Sequence, residues 1–327
     1  MESHRSHSRR PPAHLPERPS PGILSGAPPD PAEPFAASRP YFSASQLNTY
    51  ANCPRQYLFR YLCDAVEDEG TYFTLYGTLV HRALERFHQE YGRPHEGDPG
   101  VMELRLVTLI DDVFRASAAE FTWPVQAELG RRKARRVARR YVRWLVERAR
   151  REPFEVVSNE ERQLLDLDGF AFVGYIDRLD RSLVTGEVTI VDYKTGSVPE
   201  SAHAYRAKVR AGQDFQLPFY YWARRAAGDR VASLALIQLK DPRLPVEPLE
   251  VRVAAESPRR VDHRAKAGVV TERELEESRR LMVDLCARIS VTGIARYEIG
   301  GDPPCDYCVY AGACRERPAP AAGEFAR

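Results

Sequence analysis

The sequence predicts an α/β domain in which several helices precede a small sheet. Apolar residues make up 43% of the 327 residues, which is enough for a sizeable folded core. Near residue 154 the spacing of apolar residues changes from a helical period to strand-like runs. A helix, two more strand-like runs and a long closing helix follow. No repeat of fixed period interrupts this order.

The predicted helices are amphipathic, and several begin at a recognisable start signal. Ser45 can cap a short helix that runs to about Asn52, and Pro54 suits the first turn of the next one. Later helices are expected at residues 77–91, 101–120, 131–151, 214–226 and 271–291. The last of these starts with a capping box from Thr271 to Glu274.

The strand-like runs lie in the second half of the chain, at residues 154–165, 170–179, 188–193, 231–239 and 249–253. We therefore expect a core at about 154–255 within one ordered domain over residues 41–316. Residues 1–40 hold ten of the 25 prolines, and residues 317–327 are rich in Pro and Ala. Both ends are predicted to be disordered tails.

Composition excludes some classes of protein and leaves others open. There is no apolar run of about 18 residues, so no membrane span is predicted. The first residues lack an apolar signal segment, so we expect a cytoplasmic protein with reduced cysteines. A net charge of +2 does not by itself indicate nucleic-acid binding, although local basic patches could still supply it.

Two strand-like runs each carry an acidic residue, Asp177 and Asp192, and Lys194 follows the second acid. Residues i and i+2 of a strand share a face, so Asp192 and Lys194 point the same way, together with Ile190. Carboxylates supply oxygen ligands for a hard cation, and a lysine can position water or offset charge on a phosphate. The pattern suits metal-dependent hydrolysis of a phosphodiester.

Lys194 stands out because the chain has 48 basic residues and only five of them are lysine. Lysine is a compact point charge and arginine a planar fork, so the two are not interchangeable in a crowded metal site. The alternative is an Asp-x-Lys tripeptide on a solvated strand end, which short charge patterns often are.

His81 lies on the helix predicted from Gly77, one helical turn before Glu85. It is either an ordinary helix histidine or the residue that completes a metal shell with the two aspartates. The helix has no His-Glu-x-x-His motif, so the sequence gives little support for a zinc protease.

Two further groups are candidates for substrate contact. Gln216 and Tyr220 are four residues apart on one helix face, which suits holding a nucleotide backbone but also suits the polar edge of a core helix. The helix from Arg131 carries a basic stripe that could follow phosphates, in which we single out Arg135 and Arg139. In so arginine-rich a chain, a solvated face is an equal alternative.

Three of the six cysteines form a Cys-x2-Cys-x5-Cys pattern, namely Cys305, Cys308 and Cys314. Three close thiols need a fourth ligand, because zinc and iron–sulfur sites generally have four. We choose Cys53, which precedes Pro54 in a turn, and interpret Cys63 and Cys286 as buried thiols. The site would join the two ends of the domain, and the residues alone do not separate iron from zinc.

Together these motifs resemble the RecB/AddB-type branch of the PD-(D/E)XK nuclease superfamily, from Tyr41 to Cys314. The motifs that carry the resemblance, in order, are Ser43-Ala44-Ser45-Gln46-Leu47 with Cys53-Pro54-Arg55, Gly77…His81…Glu85, Gly174-Tyr175-Ile176-Asp177-Arg178, Val191-Asp192-Tyr193-Lys194-Thr195-Gly196, Gln216…Tyr220 and the three late cysteines.

The resemblance implies a restriction-endonuclease-like core, a short mixed sheet flanked by helices, with a helical insertion and a cysteine-ligated cluster joining the ends. It implies Mg²⁺ or Mn²⁺ held by Asp177, Asp192, the Tyr193 carbonyl and His81, with Lys194 as a catalytic residue. Gln216 and Tyr220 would position substrate. A 4Fe-4S cluster would be held by the four cysteines, Cys53, Cys305, Cys308 and Cys314, with Zn²⁺ as the alternative.

The resemblance therefore implies a DNA nuclease, in our interpretation a single-strand exonuclease of repair or recombination. The chain lacks a Gly-x4-Gly-Lys-Ser/Thr loop, so it would act on single strands or free ends, or use a helicase in trans. Two alternatives stay open. One is a nuclease of CRISPR adaptation. The other is a non-catalytic nucleic-acid-binding module with iron–sulfur or zinc.

Overall fold

The computed structural model describes residues 41–65, 72–240, 247–256, 260–291, 297 and 305–314. These residues belong to one compact unit. The predicted tails at residues 1–40 and 317–327 lie outside the described residues. A helix with the length and hydropathy of a membrane span does not occur in the described part of the chain.

The described helices are α1 (Ala44–Asn52), α2 (Pro54–Tyr57), α3 (Tyr72–Glu90), α4 (Pro99–Ala116), α5 (Pro124–Arg151), α6 (Ala202–Arg210), α7 (Gln216–Ala226) and α8 (Glu272–Ser290). A single π-helical turn, Leu58–Leu62, follows α2. The capping box of α8, Thr271 with Glu274, forms as predicted. The cap of α1 is Ser43 and not Ser45, because Ser43 and Gln46 make a reciprocal capping box.

The strands are β1 (Phe154–Leu167), β2 (Phe170–Ser182), β3 (Val188–Lys194), β4 (Val231–Gln238), β5 (Pro248–Ala254) and β6 (Ala267–Thr271). They form one sheet in the order β1-β2-β3-β4-β5-β6. The pairs β3/β4 and β5/β6 are parallel, and the other neighbours are antiparallel. The predicted α/β class with a short mixed sheet is confirmed.

Helices cover both faces of the sheet and give it two apolar layers. One layer packs α1, α7 and α8 against a face that includes Ile190, and the other packs α3, α4 and α5 against a face that includes Val191 and Tyr193. This alternation along β3 is the one predicted from the sequence. It sends the side chains of Asp192 and Lys194 to the opposite face of the sheet from the ring of Tyr193.

The sequence patterns missed two elements, α6 and β6, and shortened two helices, since α3 begins at Tyr72 and α5 at Pro124, before the expected starts at 77 and 131. Helix α6 starts at the cap Ser201, whose Oγ accepts from the Ala204 N–H. Strand β6 has five residues and is formed by pairing with β5, so its local pattern is weak. Helix α3 begins five residues before Gly77, so Gly77 is an interior residue of the helix and not its start. The side chain of Thr195 approaches Gly77 closely.

Candidate active site

The two predicted acids lie where the pairing between the adjacent strands β2 and β3 stops, in the middle of β2 and near the end of β3. The last paired residues of these antiparallel strands are Arg178 and Val191, so Asp177 and Asp192 stand one step beyond that pair. Oδ2 of Asp177 accepts a hydrogen bond of 2.6 Å from the backbone N–H of Tyr193. Both residues are buried, with 9% of Asp177 and 2% of Asp192 exposed. The sheet therefore delivers both acids to one place.

Lys194 offsets the charge of Asp192. Its Nζ lies 2.8 Å from Oδ2 of Asp192. Burial, and then repulsion from Asp177, raise the pKa of Asp192 above its usual value, although Lys194 opposes both effects. Burial alone would lower the pKa of Lys194, but attraction to Asp192 outweighs it and the net shift is upward. The lysine is thus a partly buried cation beside two carboxylates.

The two residues of α7 that were predicted to contact substrate, Gln216 and Tyr220, form a hydrogen-bonded chain that ends at Lys194. Nζ of Lys194 donates to Oε1 of Gln216 over 2.7 Å. Nε2 of Gln216 donates to the hydroxyl of Tyr220 over 3.3 Å, and that hydroxyl donates to the backbone carbonyl of Tyr175. This chain of hydrogen bonds connects α7 to β3 and β2, so it fixes where the ammonium group of Lys194 sits.

His81 reaches the same place from α3. Its Nε2 donates to the Tyr193 carbonyl over 3.1 Å, and its Nδ1 lies 3.5 Å from a carboxylate oxygen of Asp177 and 3.5 Å from one of Glu160. Burial would lower the pKa of His81, but the hydrogen bonds to Asp177 and Glu160 outweigh it and raise this pKa to about 10.

Glu160 on β1 is a site residue that the sequence analysis missed. The neighbouring pairs of β1 and β2 are Asn159 with Arg178 and Glu161 with Ile176, so Glu160 stands opposite Asp177. Its backbone has φ of +48°, a left-handed conformation that is uncommon outside glycine. The local sequence, two adjacent acids in a strand-like run, does not indicate that one of them faces the site.

The donor set fits a hard divalent cation. One ligand atom each from His81, Glu160 and Asp177 lie within 4.8 Å of one another. Carboxylate oxygens with a backbone carbonyl are the ligands that Mg²⁺ and Mn²⁺ prefer, and an imidazole is compatible with Mn²⁺. Of the predicted ligands, Asp177 and His81 belong to this cluster, and the Tyr193 carbonyl contacts His81. Glu160 joins them, and Asp192 is paired with Lys194.

A buried network under the site holds Tyr193 in place. Arg178 is fully buried, and its guanidinium donates to Asp180 Oδ2 over 2.8 Å, to Tyr193 Oη over 2.9 Å and to the hydroxyl of Tyr141. Nη1 of Arg178 also lies 3.2 Å from Nε2 of His88. These contacts join α3, α5, β2 and β3, so they fix the segment whose backbone faces Asp177 and His81.

The basic stripe of α5 lies along α4. Arg135 has Nε 3.8 Å from Asp111, and Arg139 has Nε 3.5 Å from Glu103. To contact a phosphate, these two arginines would have to give up their contacts with Asp111 and Glu103. Their predicted role in substrate binding stays a prediction.

The cysteine-bearing segments approach each other through aromatic contacts. Cys53 is buried between α1 and α2. Six residues later the ring of Phe59 stacks on Tyr310, which lies between Cys308 and Cys314, with ring centroids 5.4 Å apart. Cys286 is buried as expected, and burial raises the pKa of its thiol to about 12.

The interpretation of Cys63 as a buried thiol is wrong. Cys63 is exposed where the π-helical turn ends. The apolar residues around it that suggested burial belong to that turn and to α2, and the chain leaves the helix at Cys63 itself.

A comparison with protein-family models places a match over residues 41–315, and the matching model is described as the PD-(D/E)XK nuclease superfamily. A search of the curated proteins found no match.

Proposed function

Because the chain belongs to the PD-(D/E)XK nuclease superfamily, whose members are metal-dependent nucleases, we propose that it hydrolyses DNA phosphodiester bonds with Mg²⁺ or Mn²⁺. The observation that supports this most is the meeting of Asp177, Asp192 and Lys194 with His81 where the pairing of β2 with β3 stops. A scaffold that only binds nucleic acid has no need of two buried carboxylates beside a partly buried lysine.

The side chains divide the work in the proposed reaction. Asp177, Glu160, His81 and the Tyr193 carbonyl, with Asp192, would hold the cation, which when bound lowers the pKa of an attacking water and polarises the phosphate. Lys194 positions that water and offsets the negative charge that builds on the phosphate. Gln216 keeps Lys194 pointed at the site through the 2.7 Å hydrogen bond.

We propose a single-stranded end as the substrate and an exonuclease as the mode, in repair or recombination. Helix α3 and the strands β1 and β2 line an open cleft of about 470 Å³ beside His81 and Glu160. A strand with free bases enters such a cleft more readily than a duplex. A helicase acting in trans would supply that strand.

The test is digestion of end-labelled single-stranded DNA with and without divalent metal. We expect cleavage with Mg²⁺ or Mn²⁺, and a loss of at least about 100-fold in Asp192→Asn. Asp112→Asn is the matched control, because Asp112 is an exposed acid on α4 that pairs with Arg115. Equal cleavage by Asp192→Asn and the parent protein would defeat the assignment.

We further propose that the four cysteines, Cys53, Cys305, Cys308 and Cys314, hold a 4Fe-4S cluster. The stacking of Phe59 on Tyr310 supports the idea, since it draws the chain after Cys53 toward the chain between Cys308 and Cys314. Four-coordinate thiolate ligation also suits Zn²⁺, and the metal content of the protein separates the two.

A further inference from the structure

Tyr175 is an exposed aromatic residue at the entrance to the candidate active site. It lines the open cleft together with His81 and Glu160, and 52% of the residue is exposed. Its neighbours on β2 differ. Ile176 is fully buried, and Gly174 lies against the rings of α7. The ring of Tyr175 is therefore the large apolar surface that β2 presents to the cleft.

The backbone of Tyr175 is tied to the catalytic residues. Its carbonyl accepts a hydrogen bond from the Tyr220 hydroxyl, which is connected through Gln216 to Lys194. It also lies two residues before Asp177 on the same strand. A group stacked on this ring would therefore be held at a fixed distance from the carboxylate of Asp177.

Two cations flank the ring. Arg82 lines the cleft from α3, and Arg162 is the cross-strand partner of Tyr175 on β1, so its side chain shares the face of Tyr175. Both are exposed, and neither has a carboxylate partner among the described residues, whereas Arg135 and Arg139 of α5 do. The cleft thus offers the ring of Tyr175 with Arg82 beside it, and the guanidinium of Arg162 lies next to the cleft, 5.7 Å from the centroid of the Tyr41 ring.

From these contacts, and resting on the proposed nuclease function, we propose that the cleft is a subsite for one unstacked nucleotide next to the scissile phosphate. Its base stacks on Tyr175, and the flanking phosphates contact Arg82 and Arg162. Aromatic stacking accepts every base, because each base has a π face. A base inside a duplex is already stacked on both sides, so the subsite selects single-stranded nucleic acid or a frayed end.

The substitutions that test this are Tyr175→Ala and Tyr175→Phe, compared on a labelled dT oligonucleotide. Loss of one stacked base corresponds to about 5- to 150-fold in affinity. We expect Tyr175→Ala to lose that much in kcat/KM, and Tyr175→Phe to stay within about 2-fold because the ring remains. Trp123→Ala is the matched control, since Trp123 is an exposed aromatic residue that does not line this cleft.

An abasic scan separates stacking from a structural effect. One residue of the oligonucleotide is made abasic at successive positions, and we expect the parent protein to cleave poorly beside one of them. Tyr175→Ala should show no such position, because the missing base had no ring to stack on. A scan that is flat for the parent protein, or equally uneven for both proteins, would overturn the subsite.

A binding measurement decides the inference even if the proposed nuclease function fails. The anisotropy of a fluorescent dT oligonucleotide is followed with the full chain in Ca²⁺, and needs no cleavage. Weaker binding by Tyr175→Ala than by Tyr175→Phe supports the subsite. Equal affinities overturn it whether or not the protein cuts DNA.

Discussion

Glu160 combines an uncommon backbone conformation with a position facing the metal ligands. A left-handed φ in a residue other than glycine costs on the order of 1 kcal/mol or more, and such strain often occurs at functional sites. Its carboxylate also lies near that of Asp177, which adds repulsion when no cation is bound. Both costs are understandable if the carboxylate is needed for the cation.

We therefore expect Glu160→Gly to separate stability from activity. Glycine accepts φ of +48° without strain, so the free energy of unfolding should stay unchanged or rise by up to about 1 kcal/mol. Metal-dependent cleavage should fall by at least about 10-fold, because a ligand is lost. Urea denaturation and cleavage rates measured on the same samples check both effects.

Glu161→Gly is the matched control for that experiment. Glu161 is the next residue of β1, is paired with Ile176 and has no left-handed φ, so glycine there should cost about 1 kcal/mol. If both glycine variants lose the same stability, or if Glu160→Gly cleaves normally, the assigned role of Glu160 is wrong.

At the scale of residues, the sequence predicts those whose chemistry is repeated in a motif and misses the one that depends on geometry. Asp177, Asp192 and Lys194 belong to short sequence motifs that indicate a metal-dependent site. Glu160 belongs to the site because β1 turns its backbone there, and no local pattern encodes that turn. Tyr175 likewise reads as an ordinary strand aromatic until the cleft beside it is known.

The packing of α7 on β2 depends on a glycine. A Cβ built on Gly174 would lie 2.6 Å from a ring carbon of Phe219 and 3.0 Å from one of Tyr220. We predict that Gly174→Ala destabilises the protein by about 1–3 kcal/mol through overpacking. It should also lower cleavage, because displaced Tyr220 no longer supports Gln216.

Gly196→Ala provides the control, since a Cβ there meets no atom within 4 Å. We expect the free energy of unfolding of this variant, measured by thermal denaturation, to be within about 0.5 kcal/mol of that of the parent protein. Similar losses in the two variants would mean that close approach of α7 to β2 is not what Gly174 provides.

The network between α3, α5 and β2 makes stability depend on pH. Burial, and then the charge of Arg178, hold the pKa of His88 well below its usual value of about 6.5. Below pH 6.5 the unfolded chain binds a proton at His88 that the folded protein does not. Stability should therefore fall as the pH drops, at up to about 1.4 kcal/mol per pH unit from this group, and be unaffected by it above pH 6.5.

The check is urea denaturation of the parent protein and His88→Gln between pH 7.5 and 5. Glutamine can still accept from Arg178 but does not titrate, so its free energy of unfolding should fall less steeply below pH 6.5. The same slope for both proteins would show that His88 is not a buried neutral group.

Elements with a strong local signal follow the sequence, and elements made by pairing do not. The capping box at Thr271 and the alternation along β3 specify α8 and β3. Strand β6 is ordered by its neighbour β5, and α3 continues N-terminal to Gly77 because tertiary packing outweighs the low helix propensity of glycine.

Residues near the two ends of the described chain contact each other through aromatic rings. Rings of Tyr50 and Tyr57 lie 6.3 and 6.2 Å from the ring of Tyr297, and Phe59 stacks on Tyr310. A metal site that joins these segments closes a loop of most of the domain. Closing so long a loop restricts the unfolded chain, so the site would stabilise the whole fold.

We predict that protein purified without oxygen is brown and contains about four irons per chain. Cys53→Ser should lose iron and unfold at a lower temperature, because a thiolate ligand is missing and the loop is open. Cys63→Ser is the control, since Cys63 is exposed and is not one of the four proposed ligands. A colourless protein with stoichiometric zinc would contradict the iron assignment, although a metal site would still join the two segments.

Anomalous diffraction from crystals soaked in Mn²⁺ tests whether β1, β2, β3 and α3 bring their side chains to one divalent ion. We expect a peak with carboxylate oxygens of Asp177 and Glu160 as ligands, at roughly 2.0–2.6 Å, and His81 beside them. Mn²⁺ bound only elsewhere, in crystals of a protein that cleaves DNA with Mn²⁺, would contradict it.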